Sequence, residues 1–151
     1  YSATAFNDAG IEEMINDALS RTIKLKCGGR VIIEETRACV AIDVDSGEGT
    51  SHGGFGRLNQ EAAHEIAKQI ILRNLSGKII IDFAGFAEFK FLKPVINILA
   101  EDLADDTFGS RVLGMSRAGN VEIVRMRRRP SLRDLLTEEC PTCCGTGRVE
   151  K

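Results

Sequence analysis

An α/β fold of the mixed α+β kind, a mixed β-sheet packed with helices, is what this sequence predicts. Three observations carry that expectation. Short runs rich in β-branched residues recur, each bounded by turn chemistry. Longer stretches space their apolar residues at three and four, the helical period. Strands and helices also come in irregular order, which argues for a layered sheet and against a pure parallel barrel.

Taken along the chain, Asn7 or Asp8 is placed to cap a first helix, with Ile11, Met14, Ile15, Ala18 and Leu19 on one face. "TIKLK" and "RVIIEE" read as strands joined at Cys27-Gly28-Gly29, a hairpin signal, and "ACVAID" as a third strand. "SGEGTSHGGFG" holds too many glycines for either regular structure and reads as a loop. A helix over 59–74 puts Ala62, Ala63, Ile66 and Ile70 inward and stops at Ser76-Gly77, before the strand "KIIID". A further helix over 91–105 carries Leu92, Val95, Ile96, Leu99 and Leu103. Pro94 suits only a first turn, which shifts that helix start toward Lys93. "RVLGM" is read as the last strand. "NVEIVRMRRR" fits either period, and Asn120 as a cap with Pro130 as a stop favours a short helix. From Thr137 the composition turns to Cys, Gly, Thr and Pro, so a body over 1–136 and a small appendage over 137–151 are expected.

The 43% hydrophobic fraction of these 151 residues can supply a core, and 28% charged residues suit a solvated surface. No apolar run reaches the roughly 18 residues of a membrane span, and no secretion signal opens the chain. Tyr1 in place of Met suits a piece of a longer polypeptide. Five cysteines, three of them in "CPTCC", do not resemble a secreted disulfide framework, so a reducing, cytoplasmic setting is expected. The net charge of −2 conceals an uneven distribution, because "RMRRRPSLR" is strongly basic while acids crowd the first hundred residues. Arg127, Arg128 and Arg129 are candidates for phosphate contact on charge alone; a solvated face is the plainer reading.

Chemistry concentrates at two strand ends. "VAIDVDSG" finishes in Asp43 and Asp45, and "KIIIDF" in Asp82. A strand that buries isoleucine has no cheap place for a carboxylate except its exposed end, where ligands gather in open sheets. Were the strands neighbours, two carboxylates about 4 Å apart would repel by roughly 4 kcal/mol at an effective dielectric near 20. A proton or a cation relieves that, and oxygen ligands suit Mg²⁺ or Mn²⁺. Asp45, one pleat along the face of Asp43, is placed to orient a water on such a metal. Turn capping by "DSG" is the plain alternative. His52 and His64 carry no requirement, and His64 reads as a surface residue. In "CPTCCGTG", Cys140 and Cys143 have the spacing of half a zinc site; a redox pair is the rival, but no helix-forming run follows. Cys27 and Cys39 have turn and core roles, and Cys144 is badly placed to share a metal. A second copy of the chain completes four ligands most simply, through a twofold axis.

Taken in order, "SRTIKLKCGGRVIIEETRACVAIDVDSG", "NQEAAHEIAKQIILRNLSGKIIIDF", "RRRPSL" and "CPTCCGTG" resemble the catalytic region of the bacterial ribonuclease E/G family over most of the chain. The resemblance implies a DNase I-like subdomain followed by a zinc-link. It implies that Asp43 and Asp82 hold the Mg²⁺ used to hydrolyse single-stranded RNA, leaving a 5′ phosphate, in RNA processing and decay. It further implies that Cys140 and Cys143 share Zn²⁺ between two protomers of a homodimer. Asp45 stands where that family usually has asparagine, and Gly85 where it commonly has another acid. A non-catalytic RNA-binding or dimerisation module on the same scaffold is the alternative, and a zinc-knuckle chaperone fragment a third, which would need several knuckles. Seven Phe, one Tyr and no Trp leave little for base stacking.

Overall fold

A computed structural model describes residues 6, 9–47, 54–85, 89–145 and 147–149. Asn7, Asp8 and His52 lie outside the described residues. Helix α1 (Ile11–Leu19) is followed by strands β1 (Thr22–Lys24), β2 (Arg30–Glu35) and β3 (Val40–Asp45). Helix α2 (Gly54–Leu72), strand β4 (Gly77–Asp82), helix α3 (Phe89–Asp102), strands β5 (Arg111–Met115) and β6 (Val121–Arg125) and the short helix α4 (Leu132–Leu136) complete the order. The six strands form one mixed sheet in the order β1-β2-β3-β4-β6-β5. Only β3 and β4 run parallel, joined by α2 as the crossover that a parallel pair requires.

One face of the sheet holds the core. Along β3, Val40, Ile42 and Val44 are buried while Ala41 and Asp43 are exposed, the alternation of a strand with one wet face. Val31, Ile33, Ile79, Ile81, Val121 and Ile123 continue that layer, and α2 and α3 cover it with Ala62, Ile66, Ile70, Leu92, Val95 and Leu99. Polar contacts help to fix α2 against its neighbours. Glu61 accepts from the amide of Lys26 at 2.5 Å in the first hairpin, and His64 meets Asp102 of α3 at 2.6 Å. His64 is a surface residue, as its place in the sequence suggests. The first hairpin needs glycine at position 29, where a Cβ would fall 2.3 Å from Leu58 Cδ1 and 2.9 Å from the Asp45 carbonyl.

Four local expectations are corrected. Residues 121–125 form strand β6, not a helix: Val121, Ile123 and Arg125 are buried at period two, and the partners on β4 and β5 supply the backbone bonds. Helix α2 begins at Gly54, so the end of the glycine-rich stretch is helical; burial of Leu58 and Asn59 anchors that first turn. Helix α3 begins at Phe89, which puts Pro94 inside it. The bond that Pro94 forfeits would have gone to the carbonyl of Lys90, an exposed residue near the helix start, where solvent can replace it. Finally, Gly10 in the left-handed conformation precedes α1, and Ala18 is its buried residue, while Met14 is 68% exposed.

Among the described residues no helix is long and apolar enough to cross a membrane.

Candidate functional site

The parallel pairing of β3 with β4 decides the position of the two acids. Val40 lies opposite Ile79, Ile42 opposite Ile81, and the register ends with Asp43 opposite Asp82. Neighbouring strands lie about 4.8 Å apart, and directly paired residues project to one face. Ile42 and Ile81 point into the core, so Asp43 and Asp82 emerge side by side on the wet face, at the carboxyl ends of both strands. The electrostatics agree. Partial burial, then the negative charges of Asp82 and Asp45, push the Asp43 carboxyl above its ordinary value, and Arg30 opposes them.

Asp45 has other commitments. Its Oδ1 accepts from the Gly47 amide at 2.9 Å and its Oδ2 from Arg30 Nε at 2.9 Å, and these bonds hold its carboxyl below the ordinary range. Both the turn role and the proximity to Asp43 read from "DVDSG" are therefore realised, with Arg30 opposite on β2 as the added partner. Among the described residues no three His, Cys, Asp or Glu side chains converge as a metal set. A pair of carboxylates suffices for a cation such as Mg²⁺, which keeps several waters and leans on one or two acids. The donor chemistry at Asp43 and Asp82 fits that ion.

Sequence reasoning missed Asn59. It is 5% exposed, its Nδ2 donates to the carbonyl of Ala84 at 2.9 Å, and its buried Oδ1 has no partner among the described residues. This bond ties the first turns of α2 to the segment that follows Asp82. The signal available in the sequence was a polar residue in the apolar phase of the helix. Gly85, in the same segment, has φ +95°, and a Cβ there would sit 2.9 Å from the Phe55 ring. The position is shaped around Phe55, so a side chain could not simply be added there.

The arginines lie elsewhere. Gly77, at the start of β4, pairs with Arg125, at the end of β6, so 127–129 leave the sheet at the rim opposite to Asp82. Five residues of strand separate the two rims, on the order of 17 Å. Arg127, Arg128 and Arg129 line a cavity of about 380 Å³ together with Glu35, Thr36 and Cys39. Arg128 and Arg129 approach the Phe108 ring at 5.9 and 5.7 Å. Arg125, from the same basic run, is 3% exposed and wholly structural: it forks onto Asp106 at 2.9 and 3.0 Å and donates to Asn74 Oδ1 and the Leu75 carbonyl.

At the appendage, 141–145 form a tight turn, closed by the Cys144 amide on the Cys140 carbonyl at 2.8 Å. Amides of Cys143 and Thr142 directed at the Cys140 sulfur pull its thiol below the ordinary value, which favours the thiolate that a metal requires. All five cysteines are free thiols.

Comparison with known proteins gives a consistent picture. The Ribonuclease E/G family model matches residues 1–128. Ribonuclease G of Haemophilus influenzae is 39% identical over 149 residues, covering 96% of this chain and 30% of that protein. Ribonuclease G of Escherichia coli K12 is 38% identical over 144 residues, covering 93% and 29%. Ribonuclease E of the same strain is 37% identical over 148 residues, covering 95% and 14%. The chain thus spans about 30% of the length of the ribonuclease G relatives.

Proposed function

The chain belongs to the ribonuclease E/G family, and from that premise we propose that it is the metal-dependent core of an endoribonuclease acting on single-stranded RNA. The single observation that carries this reading is the register of β3 on β4, which sets Asp43 beside Asp82 at the wet rim. Their oxygens would hold Mg²⁺ or Mn²⁺. When bound there, such an ion supplies an acidified water and steadies charge on a phosphoryl oxygen, leaving a 5′ phosphate on the downstream product. Asp45 contributes by position: its bond to Gly47 stiffens the turn beyond β3, and its charge raises the need for a cation at Asp43. Asn59 holds the segment after Asp82 through Ala84, which limits how far that rim can move. Arg127, Arg128 and Arg129, at the far rim, would contact backbone phosphates away from the cleaved bond.

The turn at 140–144 supports a zinc site made by Cys140 and Cys143 with the same pair of a second copy, a homodimer joined through shared Zn²⁺. A non-catalytic RNA-binding or dimerisation module is the second reading, favoured by Gly85 and its packing on Phe55. Cleavage of a single-stranded RNA in Mg²⁺ by the chain and by Asp82→Asn separates the two. The enzyme reading expects a loss of rate in the variant with its fold intact. Equal rates in both proteins eliminate it.

A further inference from the structure

Arg73 follows helix α2 and is 5% exposed, yet it makes no ion pair among the described residues. Its Nε donates to Gln69 Oε1 at 2.6 Å and its Nη1 to the Ser20 carbonyl at 2.7 Å, whereas its buried Nη2 has no hydrogen-bond partner among the described residues. An arginine keeps its charge in any protein setting, and a buried charge or donor without a partner is costly. Buried orphan donors of this kind call for an explanation by an ion or a water. Arg73 lines a cavity of about 210 Å³ whose other lining includes Arg21, Arg133, Glu35, Thr137 and Ile33. Three arginines and one acid thus share that lining. Arg21 also pairs with Glu34, and neither Glu35 nor Glu65 is within ion-pair distance of Arg73, though the charges of both are felt there.

We propose that this cavity is an anion site that takes one phosphate group on Arg73 and Arg133. Size sets the class of ligand. Pockets for drug-sized ligands begin at about 300 Å³, so a space of 210 Å³ suits a single tetrahedral anion with some water and not a whole nucleotide. Charge and donor geometry set the chemistry, because planar guanidinium forks match phosphate oxygens bidentately. The cavity lies by Glu35, paired with Val40 at the start of β3, and so stands three residues of strand, on the order of 10 Å, from the level of Asp43. The phosphate it holds is therefore not one shared with Asp43 and Asp82. Free inorganic phosphate and a backbone phosphate of RNA offer the same recognition chemistry.

The test is titration of the chain with inorganic phosphate at constant ionic strength, without divalent metal, read by calorimetry and by the side-chain Nε–H resonance of Arg73. Saturable binding that shifts this resonance is expected, and Arg133→Gln should weaken it on the order of tenfold, the worth of one charge-assisted hydrogen bond. Arg73→Gln should abolish it; should that variant fail to fold, Arg133→Gln decides. A short single-stranded RNA that displaces phosphate assigns the site to the nucleic acid, whereas phosphate binding indifferent to RNA assigns it to the free ion. Absence of saturable binding, a stationary Arg73 signal, or an affinity unmoved by Arg133→Gln overturns the proposal. Because no cleavage is measured, a negative result leaves the reading of Asp43 and Asp82 where it stands.

Discussion

Replacement of Asp106 by asparagine should cost this fold far more than an ordinary polar substitution. The Asp106 and Arg125 side chains are each 3% exposed, and the carboxylate accepts both arms of the guanidinium at 2.9 and 3.0 Å, with Ser110 Oγ at 2.6 Å as a further donor. Asparagine keeps the shape but strands a buried cation against Phe108, whose ring lies 4.8 Å from the guanidinium carbon. Removing one partner of a buried pair costs about 3–5 kcal/mol. At about 2–4 °C per kcal/mol for a domain of this size, the melting temperature should fall by roughly 6–20 °C. Urea titration and thermal melts by circular dichroism measure both. The pH profile adds a signature. Arg125, and after it Ser110 and the Phe108 amide, hold the Asp106 carboxyl well below the usual carboxylate range. A depressed acid contributes stability that is complete above its unfolded value, near 3.9, and is lost as pH falls toward the folded one. The gap between Asp106→Asn and the parent should therefore be full at pH 7 and should narrow below about pH 4. A loss under about 1 kcal/mol, the scale of an exposed pair, refutes the reasoning.

Two other outcomes are expected. Metal analysis joined to solution mass should give half a zinc per chain in a dimer, and Cys140→Ser should yield a zinc-free monomer; a parent that is itself zinc-free and monomeric sinks the shared site. Gly85→Asp should destabilise by about 1–3 kcal/mol, because the position has φ +95° and a Cβ there meets the Phe55 ring; an equally stable variant would show that the ring moves aside freely.

The sequence foretold the pairing of the two acids better than it foretold the elements around them. A slip of one residue would turn Ile42 or Ile81 to the wet face, so the pairing that buries both also puts Asp43 and Asp82 on one face, and the register brings their ends level. The misread stretch 121–125 shows the converse. Its Val121, Ile123 and Arg125 alternate, but a buried arginine looks like the outward face until Asp106, distant in sequence, is brought beneath it. Burial of that arginine also divided the basic run, with Arg125 structural, Arg127, Arg128 and Arg129 lining one cavity and Arg133 another. Start signals failed where tertiary packing supplied the anchor: Leu58 and Asn59 extend α2 back into the glycine-rich stretch, and Leu92 and Val95 hold α3 despite Pro94. The cavity at Arg73 had no sequence signature, since Arg21, Arg73 and Arg133 belong to three separate segments.

The division of charge between the rims bears directly on how RNA could be handled. A phosphate brought to within about 5 Å of two ionised carboxylates meets a repulsion of roughly 3 kcal/mol from each at an effective dielectric near 20. At the rim of Asp43 and Asp82 a polyanion is thus disfavoured until a divalent cation cancels that charge. Arginines at the opposite rim need no such partner: none of Arg127, Arg128 and Arg129 is ion-paired among the described residues, and their attraction persists without metal. On the proposed reading, holding the strand and cutting it are therefore separate electrostatic problems, solved about one strand length apart. The net charge of −2 is a sum over the whole chain, and it describes neither rim.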